Sequence, residues 1–298
     1  MAMALRPIDN ALPTTPERPK KQAKVSVPVQ KQPDSGVNDE NRAPLPPPSA
    51  DATVDYVPSE NLKPIQDPES NIQGLIEGLN SKDWIKVCES LNNARRFSLY
   101  HSSLLAPLLE KVILVVVKAM KNPRSALCKT SIMASSDIFN AFGEKLLEST
   151  NSDAFDQLLL QLLLKASQDK KFVCEEADRA LNAMVKSMSS LPLLHKLRGY
   201  VSHGNLRVRA KAAVSISNAV SKMALEEMTE FGLVPLLQMA ADLMNDRLPE
   251  AREAARRIVI AVHKAFMEKE EQEAWESFCQ TNLSTIHAQT LFKVVSSQ

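Results

Sequence analysis

A helix start recurs five times in roughly the last 230 residues of this chain, each time beside basic residues. Ser81-Lys82-Asp83-Trp84, Asn122-Pro123-Arg124-Ser125, Asp169-Lys170-Lys171-Phe172, Asn205-Leu206-Arg207-Val208 and Arg247-Leu248-Pro249-Glu250 each lead into a long stretch of apolar residues at helical spacing. The starts at 81, 122, 169, 205 and 247 lie 41, 47, 36 and 42 residues apart. That spacing brackets the roughly 40–47 residues of a repeat built from two antiparallel helices, the HEAT/armadillo period. Stacked repeats bring equivalent turns into line along one edge. The residues in those turns therefore form a stripe, which here is basic and has a tryptophan at one end.

Strand signals are scarce: the chain has only 7 glycines and few β-branched alternations bounded by turn residues. The predicted fold is all-α, an α-α superhelix (solenoid) of about six HEAT repeats. The predicted helix pairs are 71–79 with 84–99, 102–120 with 125–143, 153–168 with 172–188, 191–203 with 207–223, 226–244 with 249–268, and 270–281 with 283–296. Pro123, Pro192 and Pro249 stand where a helix can start but not continue. Ser81 or Asp83 can cap the helix that opens at Trp84. Leu158, Leu159, Leu162 and Leu163 make one core stripe, and Ala177, Leu181, Met184 and Met188 another. Ala210, Ala213, Val214, Ser217 and Val220 present a small-residue face that a neighbouring helix can approach closely. The last pair, with Lys269, Glu270, Glu271 and Glu273, is polar enough to cap the stack.

Residues 1–69 hold 13 of the 18 prolines and no long apolar run, so they are expected to be a disordered tail. The folded domain is expected over 70–298, where 28 basic residues face 25 acidic ones. That near balance speaks against bulk nucleic-acid binding. No apolar run reaches the roughly 18 residues of a membrane span, and the N-terminus reads neither as a secretory leader nor as a transit peptide. The expected protein is soluble and intracellular. Cys88, Cys128, Cys174 and Cys279 have no metal-ligand spacing and are expected to be reduced and mostly packed.

Catalytic signatures are lacking. His101, His195, His203, His263 and His287 are scattered, and there is no phosphate loop, nucleophile elbow or HExxH helix. No metal and no cofactor is expected, and the chain is not expected to be an enzyme. His203, beside the basic turn at 204–207, is expected to be an exposed helix-end residue. The basic edge has more content. Lys82, Lys86, Lys121, Arg124, Lys129, Lys170, Lys171, Arg207, Arg209, Lys211, Arg247, Arg252, Arg256 and Arg257 lie in the turns or just after them. Cations at helix N-termini oppose the macrodipole by a few tenths of a kcal/mol each, roughly, so their repetition points to a ligand of opposite charge. Trp84 can either pack inward or serve as an exposed anchor, since Trp and Arg dominate binding hot spots. Trp275 reads as structural.

Several stretches, taken together, carry a resemblance. These are Asp83-Trp84 with Leu91 and Arg95-Arg96; Asn122-Pro123-Arg124-Ser125; Phe172-Val173 with Glu175 to Ala183; Val208-Arg209; and Glu250-Ala251-Arg252 with Arg256. Over about 70–298 the chain resembles a TOG domain of the CLASP and crescerin type. The resemblance implies a paddle of six HEAT repeats whose intra-repeat turns bind αβ-tubulin. It implies tubulin contacts by Trp84 in the first turn, Arg124 and Lys129 in the second, and Lys170 and Lys171 in the third. Arg209 takes the fourth turn and Arg252 with Arg256 the fifth. Cys174 departs from the pattern, standing where related domains often carry a basic residue.

In the tail, Thr15-Pro16 fits a proline-directed phosphorylation site close to Lys20, Lys21 and Lys24, where a phosphate would offset the basic cluster. Leu45-Pro46-Pro47-Pro48 is a short polyproline segment, a spacer or a docking site for further proteins. The expected function is that of a cytoplasmic, cytoskeletal microtubule-associated protein whose TOG-like domain binds αβ-tubulin or microtubules. The alternative is a HEAT/ARM adaptor for a protein unrelated to tubulin.

Overall fold

The computed structural model describes residues 56–148 and 151–297, and no strand occurs among them. Thr15 and the polyproline segment lie outside the described residues. The helices pair in the expected order. The first pair is α1 (Pro68–Leu79) and α2 (Trp84–Tyr100). The second sets α3 (Ser102–Leu105) and α4 (Leu109–Met120) against α5 (Ser125–Phe142). The third is α6 (Ser152–Ala166) with α7 (Lys171–Ser187), and the fourth α8 (Ser190–Leu197) with α9 (Leu206–Val220). The fifth joins α10 (Leu225–Phe231) and α11 (Leu233–Leu243) to α12 (Pro249–Met267), and the sixth is α13 (Gln272–Asn282) with α14 (Thr285–Ser296).

In the second, fourth and fifth repeats the leading helix is broken, where the sequence pattern predicts one continuous helix. Pro107 has no N–H to give and sits in a 3-10 link, Ala106–Leu108. The fourth repeat ends its first helix in a 3-10 stretch, Arg198–Ser202. Gly232 separates α10 from α11 at φ 105°, a conformation that an L side chain rarely adopts. Apolar periodicity continues past the breaks because the flanking helices each bury residues in the core, Leu105 and Leu109, Leu193 and Leu197, and Phe231 and Leu236 among them.

The second helices form one layer, with α2 on α5, α5 on α7, α7 on α9 and α9 on α12. The first helices form the other, α1 on α4 and α4 on α6. Leu158, Leu159, Leu162 and Leu163 are fully buried between the layers, and Ala177, Leu181, Met184 and Met188 are buried too. Ala210 and Ala213 pack against Ala251, Ala254 and Ala255, so α9 and α12 meet across small residues as expected. Gly143 marks another close approach: a Cβ there would lie 2.1 Å from the Ser187 carbonyl oxygen. Trp275 is fully buried against His263 and Phe266, consistent with a structural role.

The folded domain extends ahead of the expected boundary at residue 70. Tyr56 to Leu62 form a strap across α2 and α5, with Leu62 2% exposed. Arg95 and Asp137 form a buried ion pair at 2.7 Å. The strap completes it: Arg95 donates to the Val57 carbonyl at 2.7 Å, and Ser59 donates to Asp137 at 2.7 Å. Tyr100 donates to the Leu62 carbonyl at 2.6 Å. Proline-rich composition concealed a segment held by partners distant in sequence rather than by periodicity.

Candidate functional site

Four of the turns between the two helices of a repeat, the first, second, fourth and fifth, follow one local template. The residue two before the N-cap accepts a hydrogen bond from the N-cap N–H. Ser81 does so for Asp83 at 3.1 Å, Asn122 for Arg124 at 2.9 Å, His203 through Nδ1 for Asn205 at 3.0 Å, and Asp246 for Leu248 at 2.8 Å. Short polar side chains satisfy a backbone donor at the helix entry this way, which fixes where the chain turns. His203 is therefore half-buried and engaged in its turn, a difference from the exposed position expected of it.

A second tie closes the third, fourth and fifth turns. Arg209 donates to the His203 carbonyl at 3.2 Å and Arg252 to the Asp246 carbonyl at 2.8 Å, in each case six residues back. Cys174 occupies the equivalent place in the third repeat and donates its thiol to the Gln168 carbonyl at 2.6 Å. The departure at Cys174 thus keeps the turn-closing bond while giving up the positive charge.

Basic residues of the fourth repeat tie neighbouring repeats together. Positions two apart on a helix point to nearly opposite sides, about 200° apart. Arg207 accordingly reaches back to Asp169 in the third turn, and Arg209 reaches forward to Asp246 in the fifth at 2.9 Å. Lys211 sits between Asp178 and Glu250, 3.0 Å from each. Burial works to lower the Lys211 pKa, but hydrogen bonds to Glu250 and Asp178 carry it above the ordinary lysine value. Burial raises the Asp178 carboxyl in spite of Lys211. These cations have internal counter-charges, so their opposition to the helix dipole is offset within the fold and needs no external ligand. Acidic partners in the adjacent repeats, Asp169 and Asp246 above all, are the sequence signal for this.

The expected contact residues fall into two groups. Arg209 is tied internally, with Arg252 held on turn carbonyls; Lys129 lies 4.4 Å over the Tyr56 ring and 3.9 Å from the buried Glu176. Arg124, Lys170, Lys171 and Arg256 are exposed. Lys171 pairs with Glu175 at 3.8 Å and Arg256 with Glu253 at 3.1 Å, both solvent-facing pairs that hold their partners weakly. Among the described residues Lys82, Lys86, Lys121 and Arg247 are exposed and form no ion pair. Trp84 combines both readings of it: the indole is half-buried against the core, and the Arg124 guanidinium stacks 5.2 Å above its ring. Such a stack contributes about 0.5–1 kcal/mol at an exposed site and holds the ring in place. Phe172, 41% exposed beside Lys170 and Lys171, is an aromatic on the same edge that residue type alone did not single out for contact.

Comparison with known proteins places this chain in a family. The model of the family described as CLASP N terminal matches residues 92–286. The chain belongs to this CLASP N-terminal family. It is 28% identical over 205 residues to the TOG array regulator of axonemal microtubules protein 1 of Mus musculus, covering 67% of this chain and 11% of that protein. The Homo sapiens protein of the same name is 29% identical over 142 residues, 48% of this chain and 8% of the relative. The chain therefore spans only a small part of these relatives. Among solved structures, the TOG domain of C. elegans Zyg9 aligns with TM-score 0.56 at 13% identity, over 81% of this chain and 90% of that one. A chain from work on microtubule plus-end tracking by XMAP215, CLIP-170 and EB1 aligns with TM-score 0.59 at 16% identity, over 79% and 94%. The fold is that of a TOG-type HEAT-repeat domain, as the resemblance implied.

Proposed function

We propose that this domain is a non-enzymatic microtubule-associated module that binds αβ-tubulin, free or in the lattice, along the edge formed by its intra-repeat turns. The observation that carries this is the first two turns: Trp84 lies under Arg124, with Lys82, Lys86 and Lys121 exposed and without a carboxylate partner among the described residues. An aromatic anchor ringed by unpaired cations fits an acidic protein surface, where charge speeds encounter and fixes register. The relatives named as axonemal microtubule regulators and the TOG folds support tubulin as that surface. Trp84 and Arg124 make the central contact, Lys170, Lys171 and Arg256 extend it, and Lys129, Arg209 and Arg252 hold the turns in place. The site of action is the microtubule cytoskeleton.

Gel filtration of the full chain with soluble tubulin tests this reading, with co-sedimentation on microtubules beside it. Trp84→Glu, folded by circular dichroism, is expected to bind about tenfold more weakly or worse. Undiminished binding by that variant would refute the edge, and absence of wild-type binding at low salt would refute the function.

A further inference from the structure

Between the first and second turns the surface opens into a cavity of about 130 Å³. At about 30 Å³ per water it has room for roughly four waters, or one aliphatic side chain. Val115, Ala119 and Leu127 form its apolar floor and Trp84 one wall. Lys82 and Lys118, both exposed, stand at the rim, and neither forms an ion pair among the described residues. Arg124 stacks on the indole of Trp84, 5.2 Å from its ring centroid.

We propose that this cavity receives an aliphatic side chain carried on an acidic loop of the partner, with Lys82 and Lys118 taking the flanking carboxylates. The inference rests on the tubulin reading and adds a binding pocket to it. Two lysines without counter-ions select an acidic surface. The apolar floor then requires that surface to offer a hydrocarbon group, which a phosphate backbone does not. Lys118 is the telling residue, because it belongs to the end of α4 and lies in none of the turns.

The test is titration of the full chain with labelled αβ-tubulin. Lys118→Glu should weaken binding about fivefold or more, while Lys111→Glu, an exposed charge on the same helix, should stay within about twofold of wild type. Ala119→Met fills the floor without changing charge and should weaken binding by a similar factor. If Ala119→Met does not fold, as judged by circular dichroism, the two lysine variants decide. Wild-type affinity in Lys118→Glu, with binding lost in Trp84→Glu, overturns the pocket and leaves the edge standing. Equal weakening by Lys111→Glu and Lys118→Glu overturns it in favour of diffuse charge. Failure of the wild type to bind tubulin removes both readings.

Discussion

Cys174, Arg209 and Arg252 share one place in successive repeats, and each donates to the carbonyl six residues earlier. The resemblance marks Cys174 as a departure from a basic position, but a thiol and a guanidinium look unrelated in a sequence, and the hydrogen bond they share emerged only with the turns side by side. By contrast, Ser81 and Asn122, which accept from the N-cap, are types that betray turns and open the stretches from which the first two turns are read, whereas Pro249 rather than Asp246 marks the fifth. Trp84 shows the limit of residue type: the sequence allowed an inward or an outward indole, and contact with Arg124 and the core together decides its place. Cys279 carries a residue-scale prediction. It is fully buried, and desolvation pushes its thiol up to about 12 from an ordinary 9.0. With the folded-state value raised, its contribution is intact below pH 9 and is lost as pH rises toward 12, since the unfolded chain ionises first. Three pH units correspond to on the order of 4 kcal/mol. Urea midpoints at pH 8 and pH 10.5 should fall less in Cys279→Ala than in the wild type. An equal fall would show that the thiol does not govern the alkaline limb.

Among the elements, helix pairs were legible because 3.6-residue periodicity persists wherever a helix faces a core. The breaks at Pro107 and Gly232 were not, because the segments on either side both bury apolar residues at helical spacing. Nor was the strap over Tyr56–Leu62, whose hold comes from Arg95, Tyr100 and Asp137, 36 to 78 residues away. The strap supplies hydrogen bonds that a buried ion pair needs. A pair left incomplete in a low-dielectric site is strongly destabilising. Leu62→Ala should cost about 2–5 kcal/mol, and a chain starting at residue 70 should melt well below one starting at 56. Equal melting temperatures for the two truncations would show that the strap adds nothing to the fold.

For the whole molecule, charge placement matters more than the net charge of +1. Internal ties engage the cations of the fourth repeat, while Lys82, Lys86, Lys121 and Arg124 stay exposed at the first two turns. One such domain offers one attachment, and linkage to further binding sites is what raises avidity on a polymer. Exposed cations are screened over about 8 Å at physiological salt, so tubulin affinity should fall steeply as salt rises. Hydrogen–deuterium exchange of the full chain, with and without αβ-tubulin, tests the central claim most directly. Protection at 80–86, 121–129 and 168–174, with little change along the opposite edge at 221–225 and 268–272, is the predicted result. Protection confined to that opposite edge would contradict it.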